Sequence, residues 1–296
     1  MTTQRTITRG TYKGHDYYKV DGYSMPSPSK IKLDAVFLDN YHAAQAVNAA
    51  SDHWDQLAAM DAGSDRRGSL NAWILENYQY AAEAGREKHR LMEALVNGQP
   101  AVPGDKAILR DPSLTKRLAK DPSMLADAEA AARCLDAFKI QPFMAEQGVI
   151  NTDYWYSGTL DMVATCDMFG APSVLDYKFG RDIYPEFALQ LGAYNHATHK
   201  IMEIPQTGPR GGAKRSTYEL EPMPPIRHDM AFILHSTNGL ARLVPVKTDG
   251  WVWDTVQAWV EAWWSYNPTV KDDPPLLAPL ITDGADDLTP SDPAPF

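Results

Sequence analysis

The sequence contains little cysteine and no long apolar run. Its two cysteines, Cys134 and Cys166, belong to no CxxC pair, so we expect neither a disulfide framework nor a zinc or redox centre built from such pairs. Both are expected to behave as buried small hydrophobic residues. No stretch approaches the roughly 18 apolar residues that a membrane span needs, and no apolar segment follows the basic residues of the opening. The sequence therefore predicts a soluble, cytoplasmic protein.

Net positive charge is also lacking, although nucleic-acid binding usually depends on Lys and Arg. The formal net charge is −10. This charge is unevenly distributed, because residues 271–296 hold six aspartates against one lysine. An acidic centre that binds cations would account for part of the remaining negative charge. The charge therefore weakens a DNA-binding interpretation without excluding it.

The remaining composition is typical of a globular domain with a hydrophobic core. Of the 296 residues, 44% are hydrophobic and 22% are charged. We expect a single domain over residues 1–267, with an N-terminal hairpin and helical region over about 1–140 and a catalytic core over about 75–265. The acidic, Pro-rich residues 268–296 are expected to stay disordered.

Hydrophobic periodicity and turn residues predict the order of the elements. Asn238-Gly239, between two apolar runs, is a strong signal for a hairpin turn. In chain order the predicted elements are a hairpin within 7–20, two or three helices within 43–96, a surface excursion over 97–123, a helix over 123–137, strands from about 142, over 154–166 and over 173–179, a helix over 185–202, a polar loop over 205–217, strands over 230–236 and 240–246, and a helix over 251–267.

Two carboxylates and a lysine are notable on the predicted hairpin of residues 154–179. Residues two apart in a strand point to the same face, so Asp176 and Lys178 share one side. Asp161, on the preceding strand, can converge on Asp176 if the two strands pair. Such carboxylates repel unless a cation lies between them, and Mg²⁺ or Mn²⁺ is the natural ion for oxygen ligands. Lys178 can then position or deprotonate an attacking water and stabilise charge on a phosphate.

A structural interpretation of the same residues exists, because D-x-K also occurs on the solvated face of amphipathic strands. The surrounding sequence favours function. Gly158 stands three residues before Asp161, and Glu146 lies upstream. Gln190 and Tyr194, four apart, share one face of the following helix, although by themselves they would indicate an ordinary core helix.

Taken together, several short motifs resemble the RecB-like exonuclease branch of the PD-(D/E)XK nuclease superfamily, and most of all its stand-alone bacteriophage nucleases. The resemblance covers about residues 75–265. The motifs are GREKH at 85–89, Glu146, GTLD at 158–161, LDYK at 175–178 and QLGAY at 190–194. It implies an α/β, restriction-endonuclease-like core, in which a central mixed β-sheet is flanked by helices, with an N-terminal helical elaboration.

The resemblance also implies a metal site. His89, Asp161, Asp176 and the carbonyl group of Tyr177 would hold Mg²⁺ or Mn²⁺. CRISPR-associated members of the branch bind a 4Fe–4S cluster, which requires four cysteine thiolates. This chain has two cysteines, so no iron–sulfur cluster is expected, which argues against a direct role in CRISPR adaptation.

The same resemblance implies further roles and an activity. Lys178 would be the catalytic lysine, and Glu146 would support the metal site. Gln190 and Tyr194 would orient the active-site groups and the DNA strand. The implied activity is metal-dependent exonucleolytic hydrolysis at the ends of linear single- or double-stranded DNA, in phage or bacterial recombination, repair or DNA processing. Two alternatives stay open: a DNA-binding recombination-accessory module without cleavage, and a restriction-like or structure-specific endonuclease.

Three other features have more than one interpretation. The loop at 208–216 carries Arg210, Lys214 and Arg215, which either contact DNA phosphates or stay solvated. His196 and His199, three apart on a predicted helix, could indicate a metal-binding pair, but no HExxH motif surrounds them, so they are interpreted as surface or supporting residues. The terminal SDPAPF resembles the C-terminal tip of bacterial single-stranded DNA-binding proteins. The tail could therefore dock on a recombination or single-strand-binding partner, mask the protein's own DNA groove, or serve only to keep the chain soluble.

Overall fold

A computed structural model describes residues 6–12, 15–20, 22–29, 46–60, 64–104, 112–206 and 215–266. Its centre is a seven-stranded mixed β-sheet covered by helices, and this confirms the predicted α/β fold class. The tail at 268–296, with its proposed docking role, lies outside the described residues. Arg210 and Lys214 also lie outside them. Within the described ranges, no helix has the length and apolar character needed to cross a membrane.

The strands form two sheets. A small antiparallel sheet near the N-terminus contains β1 (Ile7–Tyr12), β2 (His15–Val20) and β3 (Tyr23–Ser24), which confirms the predicted hairpin. The large sheet contains β4 (Gln141–Asn151), β5 (Tyr156–Thr165), β6 (Ser173–Phe179), β7 (His199–Gln206), β8 (Arg215–Pro222), β9 (Met230–Thr237) and β10 (Leu240–Lys247). Its order is β10-β9-β6-β5-β4-β7-β8, in which β6 and β9 pair in parallel and the other neighbours pair antiparallel.

Six labelled helices accompany these strands in the described part of the chain. They are α1 (Trp54–Ala59), α2 (Ser64–Val96), α3 (Pro112–Lys120), α4 (Ser123–Ala137), α5 (Glu186–Asn195) and α6 (Trp251–Tyr266). A short helical stretch over 46–52 precedes α1. The expectation of two or three helices within 43–96 is therefore confirmed.

Helices cover both faces of the large sheet, which explains why β6 is buried on both sides. On one face, α2 and α4 pack against Leu175 and Tyr177. On the other, Phe187 and Leu191 of α5 pack against Val174. Side chains of a strand alternate between its two faces, so Asp176 and Lys178 lie on the α5 side with Val174.

The hairpin between β9 and β10 turns at the predicted dipeptide. Asn238 and Gly239 have φ angles of 53° and 71°, the left-handed pair that a two-residue hairpin turn requires. The turn is attached to α4, because the Gly239 N–H donates to Oδ1 of Asp127 at 2.7 Å. Lys88 of α2 donates to Oδ2 of the same carboxylate at 2.5 Å. One buried aspartate thus joins two helices to the sheet.

Three sequence-based boundaries were wrong. The helix predicted over 185–202 ends at Asn195, because the Thr198 N–H donates to the carbonyl of Ile150 at 2.9 Å and the chain then joins the sheet as β7. His196 and His199 therefore do not share a helix. Residues 205–206 and 215–217 of the predicted loop belong to β7 and β8, while residues 207–214 lie outside the described residues. The surface excursion predicted over 97–123 contains α3.

The structure also shows the burial of the two histidines and of the two cysteines. His196 is half-buried and its ring stacks on Trp253, with centroids 4.0 Å apart. His199 is half-buried in β7. Cys134 is buried as expected, whereas Cys166 is half-buried, and both are free thiols.

Candidate active site

The candidate site lies where β5 and β6 separate. The two strands pair through Met162–Leu175, Val163–Val174 and Ala164–Ser173. The next pair in this register would be Asp161 and Asp176, but the ladder ends before it. Oδ2 of Asp161 instead accepts a hydrogen bond of 2.8 Å from the backbone N–H of Tyr177. The separation leaves both aspartates at the same level of two adjacent strands.

A third carboxylate reaches this level from β4. The pairs Ala145–Met162 and Gln147–Leu160 flank Glu146 and set it opposite Asp161. Glu146 has a φ of 47°, in the left-handed region that non-glycine residues seldom adopt. Backbone strain of this kind persists only where surrounding structure holds it. Three adjacent strands therefore each present one carboxylate at the open end of the hairpin.

The long helix α2 adds an imidazole group. Nε2 of His89 lies 3.3 Å from the carbonyl oxygen of Tyr177 and 3.9 Å from Oδ2 of Asp161. The His89 ring is fixed by edge-to-face contacts with Tyr177 and Phe179, each with centroids 5.3 Å apart. Donor atoms of His89, Glu146 and Asp161 all lie within 4.8 Å of one another. Such a set of one nitrogen and several oxygens suits a divalent cation.

Asp176 is the most deeply buried of the acidic residues at the site, with 1% of its surface exposed. Its pKa is raised to about 6, mainly by burial; the charge of Lys178 opposes the rise, that of Asp161 adds to it, and that of His89 opposes it. Oδ2 of Asp176 is in ionic contact with Nζ of Lys178. Among the described residues this oxygen has no other partner. The ion pair is the geometry that the D-x-K spacing predicts.

Lys178 itself lies against an aromatic ring. Its Nζ is 5.1 Å from the centroid of the Phe187 ring in α5, at a distance where a cation is attracted to the ring face. The contact and the Asp176 carboxylate hold the ammonium group on the α5 side of β6. A charged donor with a defined position can therefore meet a substrate that reaches Asp176.

Crowded negative charge is the main electrostatic feature of the site. Although Glu146 stands at an exposed position of β4, partial desolvation by neighbouring groups, the charge of Asp161, and the charge and hydrogen bond of Glu93 raise the pKa of its carboxyl group to about 8, against an opposing effect of Arg9. Glu93 is the fourth residue after His89 in α2, and so lies on the same face of that helix. Sequence reasoning missed Glu93, although this spacing could have indicated it. A bound cation would relieve the repulsion between these carboxylates.

Gln190 and Tyr194 lie beside the carboxylates and contact the N-terminal segment. Nε2 of Gln190 donates to Oγ of Ser29 at 3.5 Å. The Tyr194 hydroxyl is within hydrogen-bonding reach of both, and burial is the main cause that raises its pKa well above the ordinary range. Asp161 and Asp176 raise that pKa further, which indicates that Tyr194 is near them. Sequence reasoning assigned no role to Ser29, and no local motif indicates one.

The structure therefore gathers the predicted residues in two groups. His89, Glu146, Asp161, Asp176, Tyr177 and Lys178 surround the open end of the hairpin, while Gln190 and Tyr194 form the adjoining wall on the α5 side. No family model and no curated protein sequence matches the chain.

Proposed function

We propose that this chain is a divalent-metal-dependent deoxyribonuclease of the PD-(D/E)XK type that hydrolyses phosphodiester bonds, acting as an exonuclease at the ends of linear DNA. The observation that carries the proposal is the separation of β5 and β6 at Asp161 and Asp176, with Lys178 in ionic contact with Asp176. A purely structural hairpin has no need for carboxylates crowded at one level. A phosphodiesterase needs them to hold a cation next to the phosphate.

The donor atoms fit Mg²⁺ or Mn²⁺. The cation would be held by Nε2 of His89, the carboxylates of Asp161 and Asp176, and the carbonyl of Tyr177, with Glu146 supporting them. The close approach of donor atoms from His89, Glu146 and Asp161 and the raised pKa of Glu146 support a cation at this place, and Asp176 adjoins it at the end of the β5–β6 ladder. A bound divalent ion supplies Lewis-acid polarisation of the phosphate and neutralises its charge. An imidazole ligand makes Mn²⁺ at least as suitable as Mg²⁺.

The protein's own groups would perform the remaining steps. The side chain of Lys178 would either orient the attacking water as an ammonium group or, as a neutral amine, accept the proton of that water; the resulting ammonium group would then donate to a phosphate oxygen as negative charge develops there. Asp176 and the Phe187 ring hold that ammonium group in place. Gln190 and Tyr194, both buried, keep the α5 wall of the site rigid and polar beside the DNA strand.

The test compares linear with covalently closed circular DNA in Mg²⁺, in Mn²⁺ and in excess EDTA, with Asp176→Ala as the inactive control. We expect loss of linear DNA only, and only with a divalent ion. Cutting of the circles would identify an endonuclease with the same chemistry. Binding of DNA without cutting would support the accessory-module alternative. Undiminished cleavage in EDTA, or by Asp176→Ala, would overturn the metal mechanism.

A further inference from the structure

Residues 25–29, which follow β3, are fixed against the strand that carries Asp161. The Ser157 N–H donates to the carbonyl of Pro26 at 3.0 Å, and Met25 is buried in the core with Tyr156 of β5. Gly158 has no space for a side chain, because a Cβ there would lie 2.8 Å from Cδ of Pro28 and 3.1 Å from the Tyr194 ring. Residues 25–29 therefore pack against β5 at Gly158, which stands three residues before Asp161 in the sequence.

Ser29 ends this segment with an exposed hydroxyl group beside two buried polar side chains. Its Oγ accepts a hydrogen bond from Nε2 of Gln190 at 3.5 Å, and a serine hydroxyl that accepts hydrogen bonds can still donate its own proton to another acceptor. Tyr194 lies within hydrogen-bonding reach of Ser29. Gln190 and Tyr194 are held by the packing of α5, so they give the exposed hydroxyl a defined direction.

We propose that Ser29 is a substrate-binding residue whose hydroxyl donates to a phosphate oxygen of the DNA strand next to the scissile phosphate. The inference rests on the proposed function and adds the N-terminal segment to its binding site. Hydroxyl and amide groups make many of the phosphate contacts in protein–DNA complexes. Gln190 and Tyr194 are positioning residues for Ser29.

The experiment measures DNA half-saturation, single-turnover cleavage and calorimetric Mn²⁺ binding for the parent, Ser29→Ala, Ser29→Thr and Ser265→Ala. Ser265 is an exposed serine on α6 that donates to the carbonyl of Glu261, so it is the matched control. Ser29→Ala should raise the DNA concentration for half-saturation about tenfold, the scale of one hydrogen bond to a charged group. Mn²⁺ affinity should be unchanged, Tm should fall slightly because the buried amide of Gln190 loses its acceptor, and Ser29→Thr should restore both DNA binding and Tm.

A set of strands with a single neutral methylphosphonate linkage identifies the phosphate concerned. At one linkage, the parent should lose about tenfold in affinity, while Ser29→Ala, which already lacks the contact, should lose little more. A merely structural role for Ser29 would give equal losses in both proteins at every linkage, and that result would overturn the inference.

The results distinguish a failure of the proposed nuclease function from a failure of the Ser29 assignment. If the parent cuts DNA and Ser29→Ala equals it in half-saturation, only the Ser29 assignment is wrong. If the parent binds DNA without cutting, the nuclease proposal fails and the binding ratio between parent and Ser29→Ala still decides the assignment. A parent that neither binds nor cuts DNA contradicts both.

Discussion

The side chain of Asp161 takes the place of a backbone acceptor in the sheet. Its Oδ2 accepts a hydrogen bond of 2.8 Å from the Tyr177 N–H at the point where the pairing of β5 with β6 ends. The carboxylate therefore has two possible roles. It satisfies a backbone donor, and it presents negative charge to His89 at 3.9 Å. A carboxylate has enough lone pairs to accept this hydrogen bond and still bind a cation.

Substitutions of Asp161 should separate these two roles. Asp161→Asn keeps an oxygen for the Tyr177 N–H but loses the charge, so Mn²⁺ affinity and cleavage should collapse while Tm is held or raised by relief of repulsion. Asp161→Ala should lose the metal too and also cost about 1 kcal/mol of stability, the usual scale of such a hydrogen bond. Calorimetric Mn²⁺ titration and thermal melts measure both effects. Asp167→Ala, an exposed residue in the loop between β5 and β6, should change neither; equal Mn²⁺ affinity in Asp161→Asn and the parent would contradict the ligand assignment.

Substitutions of Lys178 should separate catalysis from metal binding. Lys178→Ala should leave the Mn²⁺ site able to bind and still lower the single-turnover rate on the order of a hundredfold or more, the scale for one charge-stabilising or proton-handling group. Lys178→Arg should restore little, because a guanidinium group is a planar fork that does not deprotonate. Lys200→Ala, which removes a surface ion pair with Glu221, is the control. A Lys178→Ala protein that cleaves like the parent would favour the solvated-strand interpretation.

The metal-free protein should lose stability as the pH rises. In the folded state the pKa of Glu146 is raised from its ordinary value of 4.5 to about 8, first by partial desolvation and then by Asp161 and Glu93. The folded form keeps a proton that the unfolded chain releases, so this stabilisation is complete below the unfolded pKa and is lost as pH rises through the folded one. In EDTA, Tm should fall between about pH 5 and about pH 8.

Two comparisons test this pH dependence. Glu146→Gln should flatten the upper part of the Tm profile, whereas Glu261→Gln, on an exposed position of α6, should leave it as in the parent. Added Mn²⁺ should raise Tm more at the alkaline end, where less proton competes for the carboxylates. A parent whose Tm in EDTA does not fall over this window would contradict the crowded-carboxylate description.

Substitution by alanine should change the stability of the protein in opposite directions at two glycines, one in GREKH (85–89) and one in QLGAY (190–194). A Cβ at Gly192 would lie 2.9 Å from Cγ1 of Val252, so Gly192→Ala should push α5 from α6 and cost about 1–3 kcal/mol. A Cβ at Gly85 meets nothing within 4 Å, and Gly85→Ala should stabilise α2 by about 0.5–1 kcal/mol. Denaturant unfolding measures both. A loss of cleavage in the stabilised Gly85→Ala protein would indicate that this glycine is needed by the substrate.

Local patterns predicted those parts of the fold that depend on short segments. The β5–β6 hairpin, the turn at Asn238 and Gly239, and α6 follow from alternation, turn chemistry and helical spacing within a few residues. The end of α5 could not be predicted in this way. Residues after Asn195 continue a helical pattern, but the hydrogen bond of Thr198 to Ile150 decides their conformation, and that partner lies 48 residues away.

The residues of the candidate site can be divided in the same way, into those that short-range patterns predict and those that they do not. Asp176 and Lys178 share a face because strands alternate, and their ionic contact is the consequence. Glu93 and Ser29 escaped notice for different reasons. Glu93 follows His89 at helical spacing but joins the site only because α2 crosses the open end of the hairpin. Ser29 lies 161 residues from Gln190, and no periodicity connects positions so far apart.

The parallel pairing of β6 with β9 determines the order in which β6 gains its two neighbouring strands during folding. β5 directly precedes β6 in the chain, whereas α5, β7 and β8 separate β6 from β9 in the sequence. Closing the longer loop costs more chain entropy, so the strand of Asp176 gains one neighbour early and the other late. Until β9 docks, water reaches the backbone on that side of β6, and Asp176 is less buried than in the folded protein. Tight capture of a cation should thus mark the last stage of refolding, and stopped-flow Mn²⁺ binding should lag behind the appearance of sheet structure.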